Sequence, residues 1–204
     1  MHRRAFLNSA ALSLGALALP RLAWGSQSCV PAVPTPYGSV QRCTAGIESV
    51  TFQQAFQKMP EWCWAACISM IFSFHGHQVS QERIVRETWK KVVNMPAQPS
   101  DILKDLNREW TDDAGDGFQS RGDYLSANNF NAVEDLKGNE PLIIGSMGHA
   151  MVLTALIGDT NVQTGTWQIV GAVVRDPWPW NGGRRTLSPI EWDHIAFAAR
   201  VRVN

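Results

Sequence analysis

One segment, from Gln57 to Cys67, constrains the fold and the chemistry of this chain more than any other. It reads Gln-Lys-Met-Pro-Glu-Trp-Cys-Trp-Ala-Ala-Cys and continues into a further apolar stretch. Pro60 and Glu61 suit the approach to a helix, and a segment that is apolar nearly all round is typical of a buried central helix. Cys63 therefore stands where a buried helix begins. The unpaired N–H groups there favour the nucleophilic thiolate, and Gln57 offers a side-chain N–H to an oxyanion that forms beside the sulfur.

These residues resemble the nucleophile motif of the papain-like cysteine peptidases, in which a glutamine is followed, after five residues, by Cys-Trp-Ala. The matching positions are Gln57, Cys63, Trp64 and Ala65. The chain departs from the plant and lysosomal enzymes, because Pro60-Glu61-Trp62 stands where they have Cys-Gly-Ser. Its Trp-Cys-Trp-Ala-Ala-Cys run is closer to the compact bacterial branch, which includes secreted effector peptidases and bacteriocin-leader peptidases. The resemblance covers roughly residues 50 to 180.

A cysteine nucleophile needs a base within hydrogen-bond reach, and the chain has five histidines. His75 follows the cysteine helix, roughly 18 Å along its axis from Cys63, which is too far. His194 has no neighbouring glycine that would make room for it. His149 follows Ser-Met-Gly and opens an apolar strand, where an imidazole would stand at a sheet edge facing a cleft. Gly-His-Ala-Met-Val resembles the histidine strand of the family, which implies that His149 is the base; the alternative is a histidine packed in the core.

The base needs a side chain that orients it, and Asp176 comes at the end of the next apolar run. Papain-like enzymes commonly have asparagine here, with a tryptophan two residues on that shields the pair from water, and Asp176 and Trp178 resemble that arrangement. A carboxylate in this place holds the imidazole tautomer and stabilises the imidazolium. The alternative for Asp176 is a simple Asp-Pro turn. The predicted site is therefore Gln57, Cys63, His149 and Asp176.

The rest of the chain predicts an α+β fold of the papain-like kind, with a helical lobe that carries the cysteine followed by an antiparallel β-sheet lobe. Hydrophobic periodicity predicts further helices over 80–89, 100–106 and 131–138, and the stretch 111–128 is expected to be a polar loop. Apolar runs separated by turn residues predict the strands, which cover residues 141–145, 149–156, 167–175 and 194–201.

The sequence predicts three regions along the chain. Residues 1–25 are expected to be an export signal, because a positive start is followed by a short apolar run and small residues. Arg3-Arg4-x-Phe6-Leu7 resembles a twin-arginine signal, with an ordinary Sec signal as the alternative. Residues 26–50 form a Pro-rich extension in which Cys29 and Cys43 are expected to form a disulfide, and residues 51–204 form the peptidase domain. The protein is then periplasmic or secreted.

Charge and motif spacing restrict the partners. The predicted signal holds three of the 18 basic residues and none of the 18 acidic ones, which leaves a net charge of −3 and no basic cluster. We expect no nucleic-acid partner and no membrane anchor. A zinc site at Cys63, Cys67, His75 and His77 has nominal ligand spacing, but a continuous helix cannot wrap these residues around one ion. No cofactor or metal is expected, and the oligomeric state is left open.

The predicted function is an exported thiol peptidase that hydrolyses peptide or isopeptide bonds in a protein or peptide substrate. Two alternatives stay open at this stage. A transglutaminase or acyltransferase uses the same triad with an amine as the acceptor in place of water. A non-catalytic cleft-binding or immunity protein on this scaffold is the second, although the presence of all four expected residues argues against it.

Overall fold

The computed structural model describes residues 25–47, 52–125 and 131–204. The predicted cysteine helix is α1, which runs over Cys63–Phe74, and eight of its 12 residues are buried. Burial on most sides of α1 explains why its sequence is apolar nearly all round. The other predicted helices are also present, and they are α2 (Gln81–Trp89), α3 (Pro99–Leu106) and α4 (Ala132–Lys137).

The described residues form ten strands, which are Ser26–Cys29 (β1), Val33–Thr35 (β2), Gly38–Gly46 (β3), Glu109–Thr111 (β4), Gly117–Leu125 (β5), Leu142–Ser146 (β6), His149–Asn161 (β7), Trp167–Arg175 (β8), Arg184–Thr186 (β9) and Ile195–Val203 (β10). They make up one antiparallel sheet in the order β1-β3-β7-β6-β10-β5-β4, with β2 paired to β3, β8 to β7, and β9 to β8. Helix α1 packs against β7, so the buried face of the sheet meets the cysteine helix. The predicted α+β architecture is therefore confirmed.

Strand β7 is the longest of the described strands, and it organises the sheet around the site. One edge of β7 pairs with β8, while its other edge pairs with β6 over its first five residues and with β3 over the remainder. Strand β7 is buried along most of its length, as its near-continuous apolar sequence requires. His149 and the two residues after it thus pair with β6 alone, and β7 is paired on both edges from Val152 onward.

The prediction of a polar loop over residues 111–128 was wrong for residues 117–125, which form a strand; residues 112–116 form a loop, and residues 126–128 lie outside the described residues. Strand β5, Gly117–Leu125, lies between β4 and β10. Its inward positions are Phe118, Ser120 and Gly122, so only one large apolar side chain marks the buried face. A Cβ at Gly122 would lie 2.6 Å from the Cβ of Leu106, so close packing of α3 requires glycine there. An alternating apolar pattern is therefore absent from the sequence.

The N-terminal extension is more ordered than its Pro-rich sequence suggested. Strands β1 and β3 pair antiparallel, with Cys29 opposite Cys43, and the predicted disulfide joins these two residues. Two short elements were also not predicted: strand β9 and helix α5, which runs over Pro189–Asp193. His194 accordingly ends α5 and does not open the last strand.

The predicted export signal lies outside the described residues except for Gly25. Among the described helices, none has the length and apolar character needed to cross a membrane.

Candidate active site

Cys63 is the first residue of α1, and Trp62 precedes it in a non-helical conformation. Its thiol is free and partly exposed, whereas the second thiol of the helix, Cys67, is free and fully buried. Burial raises the pKa of Cys67, and the neighbouring Cys63 and Asp176 raise it further. Cys67 is therefore held as a packed, neutral thiol, and Cys63 is the thiol of α1 that solvent reaches.

A tight turn places His149 at the start of β7. Ser146 ends β6 and pairs directly with His149, so Met147 and Gly148 are the two central residues of the hairpin turn. Both have positive φ, 51° for Met147 and 79° for Gly148, which is the conformation of a type I′ turn. The Ser-Met-Gly sequence before an apolar run thus corresponds to a sharp reversal that places His149 at the sheet edge.

The register of the sheet brings Asp176 to the same place. Val152 of β7 pairs with Arg175, the last residue of antiparallel β8, so Asp176 follows at the level where β7 begins. His149 Nε2 lies 2.7 Å from Oδ1 of Asp176, and Asp176 has no exposed surface. The Trp178 ring stands edge-on to the imidazole, with 6.4 Å between the ring centroids. His149, Asp176 and Trp178 therefore lie close together.

His149 also contacts Cys63, and the two contacts determine its protonation. Burial lowers the pKa of His149, but the hydrogen bonds to Asp176 and to Cys63, with the attraction of both charges, more than offset it and raise the pKa to about 9. Since Nε2 faces Asp176, the other ring nitrogen, Nδ1, is the one available to Cys63. The imidazole thus bridges the thiol and the carboxylate and is protonated at neutral pH.

Asp176 is a buried carboxylate whose oxygens are fully occupied. Oδ1 accepts from His149 and from the backbone N–H of Trp178 at 2.8 Å. Oδ2 accepts from Asn181 Nδ2 at 2.8 Å and from Arg185 Nε at 2.7 Å. Burial would raise the pKa of Asp176, but these four donors hold it well below its usual range. Asp176 is therefore ionised at neutral pH, and its four hydrogen bonds fix its orientation.

Gln57 is buried beside the start of α1, and its backbone N–H donates to the carbonyl of Pro177, the residue after Asp176. Its amide nitrogen donates to the carbonyls of Met59 and Pro60 at 3.1 and 2.7 Å. Its Oε1 has no hydrogen-bond partner among the described residues. The amide thus lies within the loop that leads to Cys63, and its role as an oxyanion donor stays a prediction.

Two further glutamines hold this loop, and no pattern in the sequence distinguishes them from other polar residues. Gln81 of α2 is buried, its Nε2 donates to the carbonyl of Phe56 at 2.8 Å, and its Oε1 accepts from the N–H of Lys58 at 3.0 Å. Gln81 therefore fixes the backbone on both sides of Gln57. Gln54 Nε2 donates to the carbonyl of Asp176 at 3.0 Å. These hydrogen bonds join the loop before α1 to Asp176 at the end of β8.

An apolar pocket of about 240 Å³ opens beside Cys63 and His149. Its walls come from the α1 start, the segment around Pro96, and the β6–β7 turn, with Gly145, Ala150 and Phe197 among the lining residues. Met147, on the turn, lines the pocket too and is 66% exposed. A pocket of this size accommodates one apolar side chain next to the thiol.

The remaining histidines lie elsewhere. His75 follows the last residue of α1, at the end opposite Cys63, and burial together with the neighbouring His77 lowers the pKa of His75 to about 4. His77 Nδ1 lies 3.1 Å from Oδ2 of Asp112, and its ring stacks on Phe118. Across residues 25–47, 52–125 and 131–204, no three His, Cys, Asp or Glu side chains cluster as metal ligands.

A helix-borne cysteine facing a histidine and a carboxylate on an antiparallel sheet is the arrangement of a papain-like cysteine peptidase. The chain belongs to the Peptidase C39-like family, whose model matches residues 47–199. It is therefore a cysteine-type peptidase. Residues 26–46, which hold the first three strands and the disulfide, lie outside the matched region.

Two solved structures are similar to this chain. One is a double-glycine-motif protease from an AMS/PCAT transporter in complex with its leader peptide, with 19% identity, a TM-score of 0.46, and coverage of 78% of this chain and 96% of the other. The other is the peptidase domain of Streptococcus ComA, a bifunctional ABC transporter of a quorum-sensing pathway, with 16% identity, a TM-score of 0.48, and coverage of 74% and 97%. No curated protein matches the chain significantly.

Proposed function

We propose that this protein hydrolyses peptide or isopeptide bonds with Cys63 as the nucleophile, His149 as the acid and base, Asp176 as the orienting carboxylate and Gln57 as an oxyanion donor. The observation that carries the proposal is the position of His149, which contacts the Cys63 thiol while its Nε2 lies 2.7 Å from Asp176. A free thiol at the start of a helix, facing an imidazole that is oriented by a carboxylate, is the arrangement that activates sulfur as a nucleophile.

The reaction proceeds in two stages. The Cys63 thiolate attacks the carbonyl carbon of the scissile bond, and the negative charge moves to the carbonyl oxygen, which accepts hydrogen bonds from the Cys63 backbone N–H and the Gln57 amide. To donate there, the Gln57 amide gives up one of its hydrogen bonds to the carbonyls of Met59 and Pro60. His149 gives its proton to the leaving amine as the C–N bond breaks, which leaves a thioester on sulfur. His149 then takes a proton from water, the hydroxyl attacks the thioester, and the C–S bond breaks to release the acid. The thiolate and the imidazolium are thereby restored.

The pocket beside the thiol supports a substrate with an apolar side chain near the cleaved bond. Its walls are largely apolar, and Glu61 is the charged residue that lines it besides the Cys63–His149 pair. Burial of a Leu- or Phe-sized side chain there contributes about 1.5–3 kcal/mol, which is enough to set a preference among peptides. Export is part of the proposal, and it is supported by the Cys29–Cys43 disulfide, because such bonds persist in oxidising compartments.

A peptide mixture tests the proposal. The mature chain, which is the protein without the predicted signal of residues 1–25, is incubated with a digest of an unfolded protein. New termini are identified by mass spectrometry. We expect cleavages that share an apolar residue close to the cut, that are lost in Cys63→Ala, and that persist in the matched control Cys67→Ala. An added primary amine distinguishes the products, since transfer attaches the amine and hydrolysis leaves a free acid. Cleavage that survives in Cys63→Ala would refute the assignment of the nucleophile.

A further inference from the structure

The carboxylate of Asp176 has a second charged partner besides His149. Arg185, on β9, donates from Nε to Oδ2 of Asp176 at 2.7 Å, and the two side chains are 22% and 0% exposed. His149 occupies the other oxygen, Oδ1. The guanidinium and the imidazole therefore hold the same buried carboxylate from opposite oxygens.

Glu191 fixes the rest of the guanidinium. Arg185 Nη1 and Nη2 donate to the two oxygens of Glu191 at 3.0 and 2.6 Å. Glu191 is itself held by the N–H and the hydroxyl of Ser188, both at 2.8 Å, in the capping box of α5. All three guanidinium nitrogens of Arg185 thus make charge-assisted hydrogen bonds, which fix the orientation of the planar group.

Arg185 and Glu191 also contact β7, which carries His149, and β6, which precedes it in the hairpin. Arg185 Nη2 lies 3.3 Å from Sδ of Met151, two residues along β7 from His149. The hydroxyl of Ser146, whose residue pairs with His149 across the turn, donates to the carbonyl of Glu191 at 2.6 Å. The position of Asp176 is therefore tied to the hairpin that positions the imidazole.

The charges alternate in sign along this chain of contacts. From the nucleophile outward they are the Cys63 thiolate, the His149 imidazolium, Asp176, Arg185 and Glu191. The negative charge of Asp176 raises the pKa of His149, and the positive charge of Arg185 reduces that effect. The negative charge of Glu191 in turn reduces the effect of Arg185. Glu61, which lines the pocket beside His149, is a further charged group on the open side of the site.

We infer that Arg185 and Glu191 are positioning residues, which fix the Asp176 carboxylate and balance the charge that it presents to His149. The inference rests on the proposed function, because it takes His149 and Asp176 to be the catalytic pair. The competing account is an ion pair that only neutralises a buried carboxylate and stabilises the fold. The two accounts differ in what single substitutions do to the protonation of His149.

The test is an NMR titration of the His149 imidazole between about pH 6 and pH 10 in the mature chain, with the resonance assigned by its loss in His149→Gln. Glu191→Gln leaves Arg185 without its counter-charge, so we expect the pKa of His149 to fall by roughly 0.5–1 unit. Arg185→Gln removes the opposing positive charge, so we expect the pKa of His149 to rise by a similar amount. Arg185→Lys retains the charge and should restore the titration most of the way to the wild-type position.

Arg42→Gln is the matched control, because it breaks another Arg–Asp pair, with Asp159 at the far end of β7, and should leave the titration unchanged. Equal downward shifts in Glu191→Gln and Arg185→Gln, or no shift in either, would overturn the inference and leave the proposed function standing. Titration of the wild-type imidazole near its ordinary value would instead contradict the proposed function. If Arg185→Gln does not fold, Glu191→Gln and Arg185→Lys decide between the two accounts.

Discussion

His149 and Asp176 form a hydrogen-bonded pair of 2.7 Å at the point where antiparallel strands β7 and β8 meet the start of α1. Asp176 is fully buried, while the side chain of His149 is 26% exposed. The carboxylate is thus shielded from water, and the ring keeps one side open toward Cys63 and the pocket. In the proposed mechanism, this pairing determines at which pH His149 holds the proton that the leaving amine requires.

The first prediction concerns pH. Because the pKa of His149 is raised to about 9, the imidazolium persists through neutral pH and is lost as the pH rises through about 9. Activity is therefore expected to fall on the alkaline side near pH 9. Asp176→Asn removes the negative charge that favours the imidazolium, so the alkaline limb should move to lower pH and the rate should drop by about 10²–10⁴-fold. The pH dependence of peptide cleavage measures both, and an unmoved limb in Asp176→Asn would contradict the pairing.

The second prediction concerns the oxyanion. Gln57→Ala should lower kcat by about 10²–10³-fold with a smaller effect on KM, because the lost hydrogen bond acts in the transition state. Gln81→Ala should lower kcat less, since it removes the contacts that fix the backbone on both sides of Gln57. Gln78→Ala, at an exposed glutamine, is the control. A Gln57→Ala enzyme with wild-type kcat would exclude the amide from the oxyanion site.

The third prediction concerns the pocket. Gly145→Ala adds a methyl group whose carbon would lie 3.3 Å from the Cβ of Phe197. Both residues line the pocket. We expect KM for peptides with a large apolar residue to rise about tenfold or more, while Cys63 alkylation by a small reagent is unchanged. Gly171→Ala is the matched control, because its added Cβ would make an ordinary 3.6 Å contact with Ile157. Equal KM values for both variants would show that the pocket does not bind substrate.

The fourth prediction concerns the disulfide. Cys29 and Cys43 are 14 residues apart in sequence, and a closed loop of about that length stabilises a fold by about 3 kcal/mol in the chain-entropy model. The double substitution of both cysteines by serine should lower the free energy of unfolding by about that amount, measured by urea denaturation. The alkylation rate of Cys63 in the folded variant should be unchanged, since the bond joins β1 to β3 and not the strands of the site. A loss of Cys63 reactivity without a loss of stability would contradict this separation.

The sequence predicted the parts of the site that depend on strong local patterns. The apolar run after Cys63 required a buried helix, and Ser-Met-Gly before an apolar strand placed His149 at a turn. Asp176 was found because it ends an apolar run that pairs with the strand of His149. These signals are short in range and rest on burial or turn chemistry, which is why they were readable.

Other parts depend on contacts that leave no local pattern. Strand β5 was missed because Ser120 and Gly122 take inward positions that usually hold large apolar residues. Arg185 and Glu191 were missed because an arginine nine residues after Asp176 looks like any surface charge until β9 folds back beside β8. Gln81 is polar on an amphipathic helix, and only the tertiary fold turns it toward the loop of Gln57.

The central claim is that Cys63 and His149 form an activated thiolate–imidazolium pair. The most direct measurement is iodoacetamide labelling of the mature protein at about pH 5.5, where an ordinary thiol reacts slowly, with the modified cysteine located by mass spectrometry. The account predicts rapid alkylation of Cys63 alone, slowed sharply in His149→Ala, while buried Cys67 stays unmodified. Equally slow labelling of both cysteines, unaffected by His149→Ala, would contradict it.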